Sequence, residues 1–376
     1  MAKKDINKSS FDETTTLKLD IFRGCFREWY PVFVKDHHTT KIYVYDMFAG
    51  SGEDSEGHEG SPLILLNEAK GNNDINHCAT LVESKKKVEF TFNEINKKKC
   101  KKLEALLIEN LSSCRTTCEL EFCPYDSSLQ FKHEDFDELI RSEELLNVLK
   151  DKEYAKFVLL DQYGYKYVSS EVFKLLISSP KTDVVFFISS SSINRFKHLP
   201  AVEKYFNTDK IEWDEAKTKE VHRLIKDYYA SLVPEDMDYY LHSFTMKKGS
   251  NYYGLIFCTA HSLGMEKFIR ICWDKDKQAG ESNCNVGDFF QMPSLFKEMD
   301  SKEVGVKKEL AQLVLNGTIK SNTEGLKKAL KLGCRPRVFV EAIEELIAQD
   351  QVIIQGKFNK TATNIHKAKE YKIVVK

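Results

Sequence analysis

Asp46-Met47-Phe48-Ala49-Gly50-Ser51-Gly52 is the stretch that decides the fold of this chain. It begins at the end of a short run of β-branched and aromatic residues, Lys41–Asp46 (KIYVYD), which predicts a strand. In open α/β sheets, ligands bind beyond the carboxyl ends of the strands, where a glycine-rich first turn lets a ligand approach the backbone. The stretch therefore predicts a ligand-binding turn, although its spacing lacks the full G-x-G-x-x-G pattern of a dinucleotide site.

The connection that follows the glycines is acidic. It carries Glu53, Asp54, Glu56 and Glu59 and ends at Gly60-Ser61-Pro62, which predicts a helix start with the serine hydroxyl as its cap. Acidic side chains here would repel a pyrophosphate, whereas S-adenosylmethionine presents a cationic sulfonium and an ammonium group. The loop therefore favours S-adenosylmethionine as the cofactor; the alternative is a tight turn that binds nothing.

Further strand-like runs recur along the chain, with helical patterns between them. They are Val88–Asn93, Glu119–Cys123, Lys156–Asp161 and Asp183–Ile188. This alternation predicts a parallel sheet with helices on both faces. Leu241–Met246 and Tyr252–Thr259 flank a short polar loop, as in a hairpin, so the last strand should run antiparallel to its neighbour. The predicted fold class is α/β: a Rossmann-like, mostly parallel sheet with a terminal antiparallel hairpin strand, as in class I methyltransferases.

Patterning also divides the chain into segments. We predict a disordered N-terminus over residues 1–14, a methyltransferase-like domain over 15–275, a polar linker over 276–302 and a small domain over 303–376. In the small domain, three helical patterns precede two strand-like runs, which is the element order of a winged helix-turn-helix. The helical patterns are Val306–Leu315, Thr323–Leu332 and Pro336–Gln349, and the strand-like runs are Gln351–Gly356 and Glu370–Val375.

Composition excludes several classes of protein. Among the 376 residues, 42% are hydrophobic and 30% are charged, which is typical of a globular chain with a sizeable core. The longest apolar runs are the length of a strand, well short of the roughly 20 residues of a membrane span, and the N-terminus lacks a secretion signal. We expect a cytoplasmic protein with no membrane partner. The ten cysteines are scattered, and Cys114, Cys118 and Cys123 do not have the spacing of a zinc pair, so no metal is predicted.

Three acidic residues are candidates for holding the adenosine part of the cofactor. An acid at the end of the second strand can accept hydrogen bonds from ribose hydroxyls. Glu94 and Glu83 compete for this position, and we prefer Glu94 because a helical pattern follows it. Asp126, just past the run Glu119–Cys123, could accept from the adenine amine. For each of them, an ordinary surface or turn acid is the alternative interpretation.

The run Phe157–Leu160 leads into Asp161-Gln162-Tyr163-Gly164. A buried strand that ends in this way places an acceptor and an aromatic ring together at the edge of the sheet where ligands bind. Asp161 would hold an exocyclic amine towards the methyl group, and Tyr163 would stack on a base taken out of its helix. The alternative is a strand end at which Asp161 caps the following turn.

Seven sequence pieces occur together in order and resemble the three-Cys-motif partner protein (TcmP) family. They are TLKLDIFRGCFREWYPVF, YDMFAGSG, GSPL, FTFNEINKKKCKKLEALL, FVLLDQYGY, SSSSINRF and YYGLIFCTAH, within residues 15–275. The resemblance implies that Asp46–Gly52, including Phe48, Ala49, Gly50 and Gly52, matches a first methyltransferase motif. It also implies that Glu94 is the acid after the second strand and that Asp161–Gly164 matches a D-P-F-G element. Gln162 departs from that pattern because it stands in place of the proline.

Two functions are open as hypotheses. The first is an S-adenosylmethionine-dependent methyltransferase that acts on DNA or RNA. The second is a non-catalytic binding or regulatory partner protein with the same fold, in the setting of a mobile element or of phage defence. The net charge of −1 requires a local patch for nucleic acid. Candidate phosphate contacts are Lys85–Lys87 and the lysines of Lys97–Lys102, for which the solvated face of a helix is the alternative interpretation. In the small domain over 303–376 (the tail), the candidates are Arg335, Arg337, Lys357 and Lys360, and a protein partner for the tail is equally consistent with the sequence.

Overall fold

The computed structural model describes residues 9–71, 76–115, 118–203, 205–206, 221–283, 301–360, 365 and 369–376. Within this part of the chain, seven strands form one sheet. They are β1 (Lys41–Asp46), β2 (Lys87–Asn93), β3 (Leu129–Lys132), β4 (Tyr154–Leu160), β5 (Thr182–Ile188), β6 (Tyr240–Lys248) and β7 (Asn251–Thr259).

The strand order across the sheet is β3-β2-β1-β4-β5-β7-β6. Strands β1 to β5 pair in parallel, and β7 pairs antiparallel with both β5 and β6. The chain order reverses beside β1, so the carboxyl ends of β1 and β4 border the crevice in which open α/β sheets bind ligands. The prediction of a mostly parallel sheet that ends in an antiparallel hairpin strand is confirmed.

Helices cover both faces of the sheet. One face packs against α1 (Glu13–Lys35), α2 (Ser61–Lys70), α3 (His77–Ser84), α4 (Lys97–Arg115) and α11 (Ser262–Lys275). The opposite face packs against α5 (Phe136–Leu139), α6 (Glu143–Lys150), α7 (Ser170–Ile177), α8 (Ser190–Phe196), α9 (Pro200–Glu203) and α10 (Val221–Ser231). Strand β1 is apolar on both sides because it is central, with Ile42 and Val44 on the first face and Tyr43 and Tyr45 on the second.

The predicted strand Glu119–Cys123 is wrong. Residues 118–123 are irregular, and the third parallel strand is the short β3, ten residues later in the chain. Tyr125 anchors the irregular segment because its hydroxyl lies 3.0 Å from that of Tyr30 and donates to the carbonyl of Ala69 at 2.6 Å. The alternation of Glu119–Cys123 therefore misled the strand prediction, and β3 is too short to show a clear pattern of its own.

The predicted N-terminal disorder extends too far, and residues 1–8 lie outside the described residues. Helix α1 begins at Glu13 with Asp12 as its cap, whose carboxylate accepts the Thr15 N–H at 2.9 Å. Before it, the backbone N–H of Phe11 donates to the buried carboxylate of Asp54 at 2.7 Å. Residues 9–14 are therefore held against the loop that follows β1.

The tail contains the three helices and the hairpin that the sequence predicts. They are α12 (Lys302–Leu315), α13 (Asn322–Lys331), α14 (Arg337–Ala348), β8 (Val352–Gln355) and β9 (Lys372–Val375), and β8 pairs antiparallel with β9. Gly325 of α13 packs directly on Phe339 of α14, where a Cβ atom would lie 2.1 Å from the ring. This close approach explains a glycine in the middle of a helix.

The tail is joined to the sheet domain by buried polar contacts. The Trp273 indole N–H donates to the carbonyl of Gly333 at 3.1 Å, and Lys302 forms a buried ion pair with Glu281. Glu281 lies in the predicted linker, and residues 276–283 of that linker are ordered by the carboxylate of Asp276, which accepts several backbone N–H groups. The remainder of the linker, 284–300, lies outside the described residues.

None of the helices in the described residues combines the length and the apolar character that crossing a lipid bilayer requires.

Candidate functional site

The Asp46 side chain lies at the carboxyl end of β1 and is completely buried. Its Oδ1 accepts the backbone N–H of Phe48 at 3.2 Å, and its Oδ2 has no hydrogen-bond partner. Burial raises the pKa of this carboxyl group to about 7; the hydroxyl of Ser61 opposes that rise, and the charge of Asp161 adds to it. An unpaired, buried carboxylate oxygen is costly to the fold, which is typical of a group retained to bind a ligand.

The glycines after β1 shape the turn. Gly50 and Gly52 have φ angles of +65° and +88°, a region that favours glycine. A Cβ atom on Gly52 would also lie 2.8 Å from the side chains of Leu103 and Leu106. Gly52 is therefore required for packing against α4, and Gly50 is partly exposed.

Phe48 and Ala49 contribute through their backbones. The Phe48 N–H binds Asp46, and the Ala49 N–H donates to the carbonyl of Asn93 at 2.9 Å. The Phe48 ring packs against Phe136 and Tyr167, with centroid distances of 5.2 and 4.9 Å. These two predicted cofactor residues fix the shape of the turn.

The acids of the loop bind other parts of the protein. Glu53 forms an ion pair with Lys102 at 3.1 Å, and Glu59 forms one with Arg23 at 2.5 Å. The buried Asp54 accepts backbone N–H groups of the loop itself, including that of His58 at 2.9 Å. The expected attraction of this loop for a cation is therefore largely neutralised, and Asp46, which the sequence predicts as a cofactor-binding residue apart from the loop acids, is the electrostatic centre of the site.

The sequence predicted that the hydroxyl of Ser61 caps α2, and this prediction is wrong. The N-cap residue is Gly60, and no side chain caps the helix. Ser61 is instead the first helical residue, is buried, and lies close enough to Asp46 to lower the pKa of that carboxyl group.

Asp161 follows β4 directly and forms an ion pair with Lys18 of α1. The Lys18 ammonium donates to both carboxylate oxygens at 2.5 and 2.8 Å, and both side chains are largely buried. The same ammonium group lies 4.8 Å from the centre of the Phe187 ring, a cation–π contact. Lys18 was missed at the sequence level because it lies on a helix 143 residues away in the sequence.

A cavity of about 190 Å³ opens beside this ion pair. Its lining includes Asp161, Gln162, Tyr163 and Lys18, together with Phe187 of β5. Gln162 is 1% exposed; its Oε1 accepts the Tyr167 N–H at 2.9 Å, and its Nε2 has no hydrogen-bond partner. Tyr163 is 71% exposed at the mouth of the cavity. Asp161 and Tyr163 thus line the same cavity, and Gln162 provides an unpaired donor in the position where the related pattern has proline.

Glu94 follows β2 and therefore lies at the carboxyl edge of the sheet, where its carboxylate accepts the Asn96 N–H at 2.8 Å. Glu83 lies in α3, so the alternative strand end that would have placed it in the site does not exist. The buried Asn93, which the sequence analysis missed, donates to the Met47 carbonyl at 3.4 Å and binds both backbone groups of Glu134. Asn93 thus connects the ends of the first three strands.

Asp126 is not at the carboxyl end of a strand. It lies in a turn before β3 begins and forms an ion pair with Arg115, the last residue of α4. The prediction that Asp126 accepts from an adenine amine loses its geometric basis, because the strand from which it was inferred is not present. The residues that follow β3 are His133, Glu134 and Asp135.

The basic residues of the tail are mostly paired with acids. Arg335 binds Glu303 at 2.8 Å, Arg337 binds Glu341 at 2.7 Å and Lys360 contacts Glu344 at 3.2 Å. At the start of α4, Lys97, Lys98 and Lys101 are exposed. Across the described ranges, no cluster of three or more His, Cys, Asp or Glu side chains could hold a metal ion.

Comparison with known proteins gives a limited result. No protein-family model matches the chain, and no curated protein matches it. Among similar solved structures is Trm1 from Pyrococcus horikoshii in complex with S-adenosyl-L-methionine, with 12% identity, coverage of 98% of this chain and 92% of that chain, and a TM-score of 0.37.

Two further similar solved structures are methyltransferases. The plantazolicin methyltransferase BpumL in complex with SAH has 7% identity, coverage of 65% and 85%, and a TM-score of 0.33. The precorrin-6y C5,15-methyltransferase from Geobacter metallireducens GS-15 has 9% identity, coverage of 61% and 85%, and a TM-score of 0.26. Likenesses this distant carry no argument about the site, so its function has to be inferred from its own residues and their geometry. The resemblance to the TcmP family stays a prediction.

Proposed function

We propose that this chain binds S-adenosylmethionine at the carboxyl ends of β1 and β4 and is a methyltransferase-like protein. The observation that carries the proposal is the buried Asp46 carboxyl group, whose Oδ2 lacks a partner beside a turn built on positive φ angles. Such a turn at the end of the first strand is where open α/β sheets bind nucleotide-like ligands.

The charges of the site favour a cationic ligand. The charge of Asp161 is close enough to Asp46 to raise the pKa of the Asp46 carboxyl group, and Lys18 contributes the ammonium group that binds Asp161. Two carboxyl groups share one cation, so the cluster carries one uncompensated negative charge when Asp46 is ionised. A ligand with a sulfonium and an ammonium group would neutralise that charge, whereas a pyrophosphate would add to it.

Each residue has a proposed task. Asp46 would attract the cationic end of the ligand, Gly50 would leave room beside the backbone, and Glu94 would accept from the ribose hydroxyls. When bound, S-adenosylmethionine supplies an electrophilic methyl group. The Lys18–Asp161 ion pair and the unpaired Gln162 amide would orient an acceptor in the adjoining cavity, which is smaller than the roughly 300–1,000 Å³ of drug-sized pockets.

We propose nucleic acid as the class of acceptor. The exposed ring of Tyr163 lies at the mouth of the cavity, where it could stack on an unpaired base, and stacking of this kind is worth about 1–3 kcal/mol per base. Lys248 lines the same cavity. Because most basic groups of the tail are paired, we place the first contact at this edge of the sheet and treat the winged-helix-like tail as a secondary contact. The proposed setting is the cytoplasm.

Isothermal titration calorimetry with S-adenosylmethionine tests the cofactor part of the proposal. We expect binding with one site per chain, and we expect Asp46→Ala to weaken it by at least about tenfold, which corresponds to 1.4 kcal/mol. Asp274→Ala is the matched control, because Asp274 is an exposed acid on the far end of α11. Equal affinities of the wild type and Asp46→Ala would remove the proposal.

The second candidate function is a non-catalytic partner protein. The observation that favours it is the Lys18 ammonium, which occupies both oxygens of Asp161 and leaves that carboxylate less free to accept from an amine. Transfer of a labelled methyl group to DNA, RNA and co-purified protein distinguishes the two functions. Transfer that Asp161→Ala abolishes supports the enzyme; cofactor binding without transfer to any of them supports the partner protein.

A further inference from the structure

We propose that the chain has a second ligand site, for a small aromatic or aliphatic amine, in a cavity between α1 and α11. The cavity lies at the end of the sheet opposite to the carboxyl ends of β1 and β4. This site is distinct from the proposed cofactor site, because it is lined by the amino end of β5 and by the end of β7 that pairs with it.

The cavity has the dimensions of a ligand pocket. Its volume is about 440 Å³, within the range of about 300–1,000 Å³ that is typical of small-molecule sites. Helix α1 lines one side with Trp29 and Phe33, α11 lines the other with Phe268, and Phe257 of β7 contributes to the floor. Aromatic walls of this kind suit a flat or apolar body and also attract organic cations.

One acid is buried in this apolar cavity. Asp183, the second residue of β5, points to the same face of the sheet as Val185 because side chains alternate along a strand. It is 7% exposed and lines the cavity. Among the described residues, Asp183 forms no ion pair, and burial raises the pKa of its carboxyl group to about 7, with Thr259 and Trp29 opposing the rise.

The two lysines of the cavity pair with its other two acids. Lys267 binds Glu28 at 3.0 Å, and Lys181 lies 3.4 Å from Asp36. These pairs leave Asp183 as the acid that lacks a cationic partner in the described part of the cavity, which points to a ligand that carries one positive charge.

A second buried polar group, the Trp29 indole, lies beside Asp183. The Trp29 indole nitrogen is buried and borders the same cavity, where its N–H, like the Thr259 hydroxyl, lies near the Asp183 carboxylate and lowers its pKa against the effect of burial. A buried indole N–H normally finds an acceptor. A buried acid that has hydrogen-bond donors beside it and no ion-pair partner among the described residues, in a ligand-sized cavity, distinguishes this site from an ordinary packing gap between helices.

Calorimetry on the full chain tests the site with benzylamine, phenethylamine and tryptamine. The uncharged comparison is 2-phenylethanol, and the anionic one is phenylacetate. We expect at least one amine to bind with one site per chain and to exceed 2-phenylethanol in affinity by at least about tenfold, or 1.4 kcal/mol. Phenylacetate should be the weakest of the probes. No preference for the amines over 2-phenylethanol, or no binding of any amine, overturns the proposal.

Asp183→Asn is the decisive variant, because it removes the charge and keeps the shape. We expect it to abolish the preference for the amine over 2-phenylethanol, while Asp36→Asn, at an acid of the same cavity that Lys181 already neutralises, preserves the preference. Thermal unfolding confirms that each variant folds. Amine binding should persist in Asp46→Ala, and S-adenosylmethionine binding should persist in Asp183→Asn, so failure of one site is distinguishable from failure of the other. Equal loss in Asp183→Asn and Asp36→Asn would overturn the assignment.

Discussion

The pH dependence of S-adenosylmethionine binding tests the role assigned to Asp46. The pKa of this carboxyl group is raised from 3.8 to about 7 by burial, so near neutral pH it is close to half protonated. A cationic ligand binds the ionised form and lowers that pKa. Affinity should therefore rise with pH through 7, the opposite of the trend expected for a site that binds an anionic ligand through histidine.

The magnitude depends on the position of the pKa. If only the ionised carboxylate binds, the competent fraction rises from about one tenth at pH 6 to about nine tenths at pH 8, so the dissociation constant should fall by about tenfold. At pH 7, binding should release about half a proton, because the bound cation drives the group to its ionised form.

Calorimetry at pH 6, 7 and 8 measures both quantities. Titrations at pH 7 in two buffers with different ionisation enthalpies count the protons that are released. The amino group of the ligand also titrates in this range, with a pKa of about 7.7–8.0 for an unperturbed α-amino group, so the informative quantity is the difference between the wild type and Asp46→Asn. The variant should show a flatter profile and weaker binding at pH 8. Parallel profiles for the two proteins would refute the reasoning.

Three further predictions address other parts of the molecule. Above pH 7, the free energy of unfolding of Asp183→Asn should exceed that of the wild type by on the order of 4 kcal/mol, and below pH 4 the two should differ little. The reason is that the buried carboxyl group, whose pKa is raised from 3.8 to about 7, destabilises the fold when it is ionised. Urea unfolding across this pH range checks the prediction. Glu281→Gln should destabilise the fold by about 3–5 kcal/mol, since it leaves the buried Lys302 ammonium without its acid. The urea midpoint of this variant is compared with that of Glu235→Gln, a control at an exposed acid, and equal midpoints would contradict the prediction. Glu94→Gln should weaken S-adenosylmethionine binding by about tenfold while Glu83→Gln leaves it unchanged, because Glu94 lies at the carboxyl edge of the sheet; the reverse order in calorimetry would restore Glu83 as the ribose-binding acid.

Several elements could be predicted because their signals are local. The run KIYVYD becomes β1 with the predicted bounds, since a central strand is apolar on both faces. The loop between the last two strands predicted the antiparallel hairpin. By contrast, β3 has four residues at the edge of the sheet, too few to establish a period, and the neighbouring run Glu119–Cys123 imitated a strand more convincingly than β3 itself.

The site was predictable to the extent that it is built from strand ends. Asp46, Glu94 and Asp161 each lie at the end of a parallel strand or just after it, so their placement at one edge of the sheet is a consequence of the chain order. The partners of these residues could not be predicted. Lys18 reaches Asp161 from a helix that packs across the sheet, and Asn93 joins three strand ends through its amide.

By itself, the sequence determined the alternation of strands and helices, the turn after β1 and the hairpin that closes the sheet, because each depends on side chains close together in the chain. Tertiary structure decided which acids have a basic partner and which are buried without one. The loop acids Glu53 and Glu59 find basic partners on α4 and α1, while Asp46 and Asp183 are buried without an ion pair among the described residues. The electrostatic environment of an acid depends on its burial and on charged neighbours that are distant in sequence, so it is set only once the chain has folded.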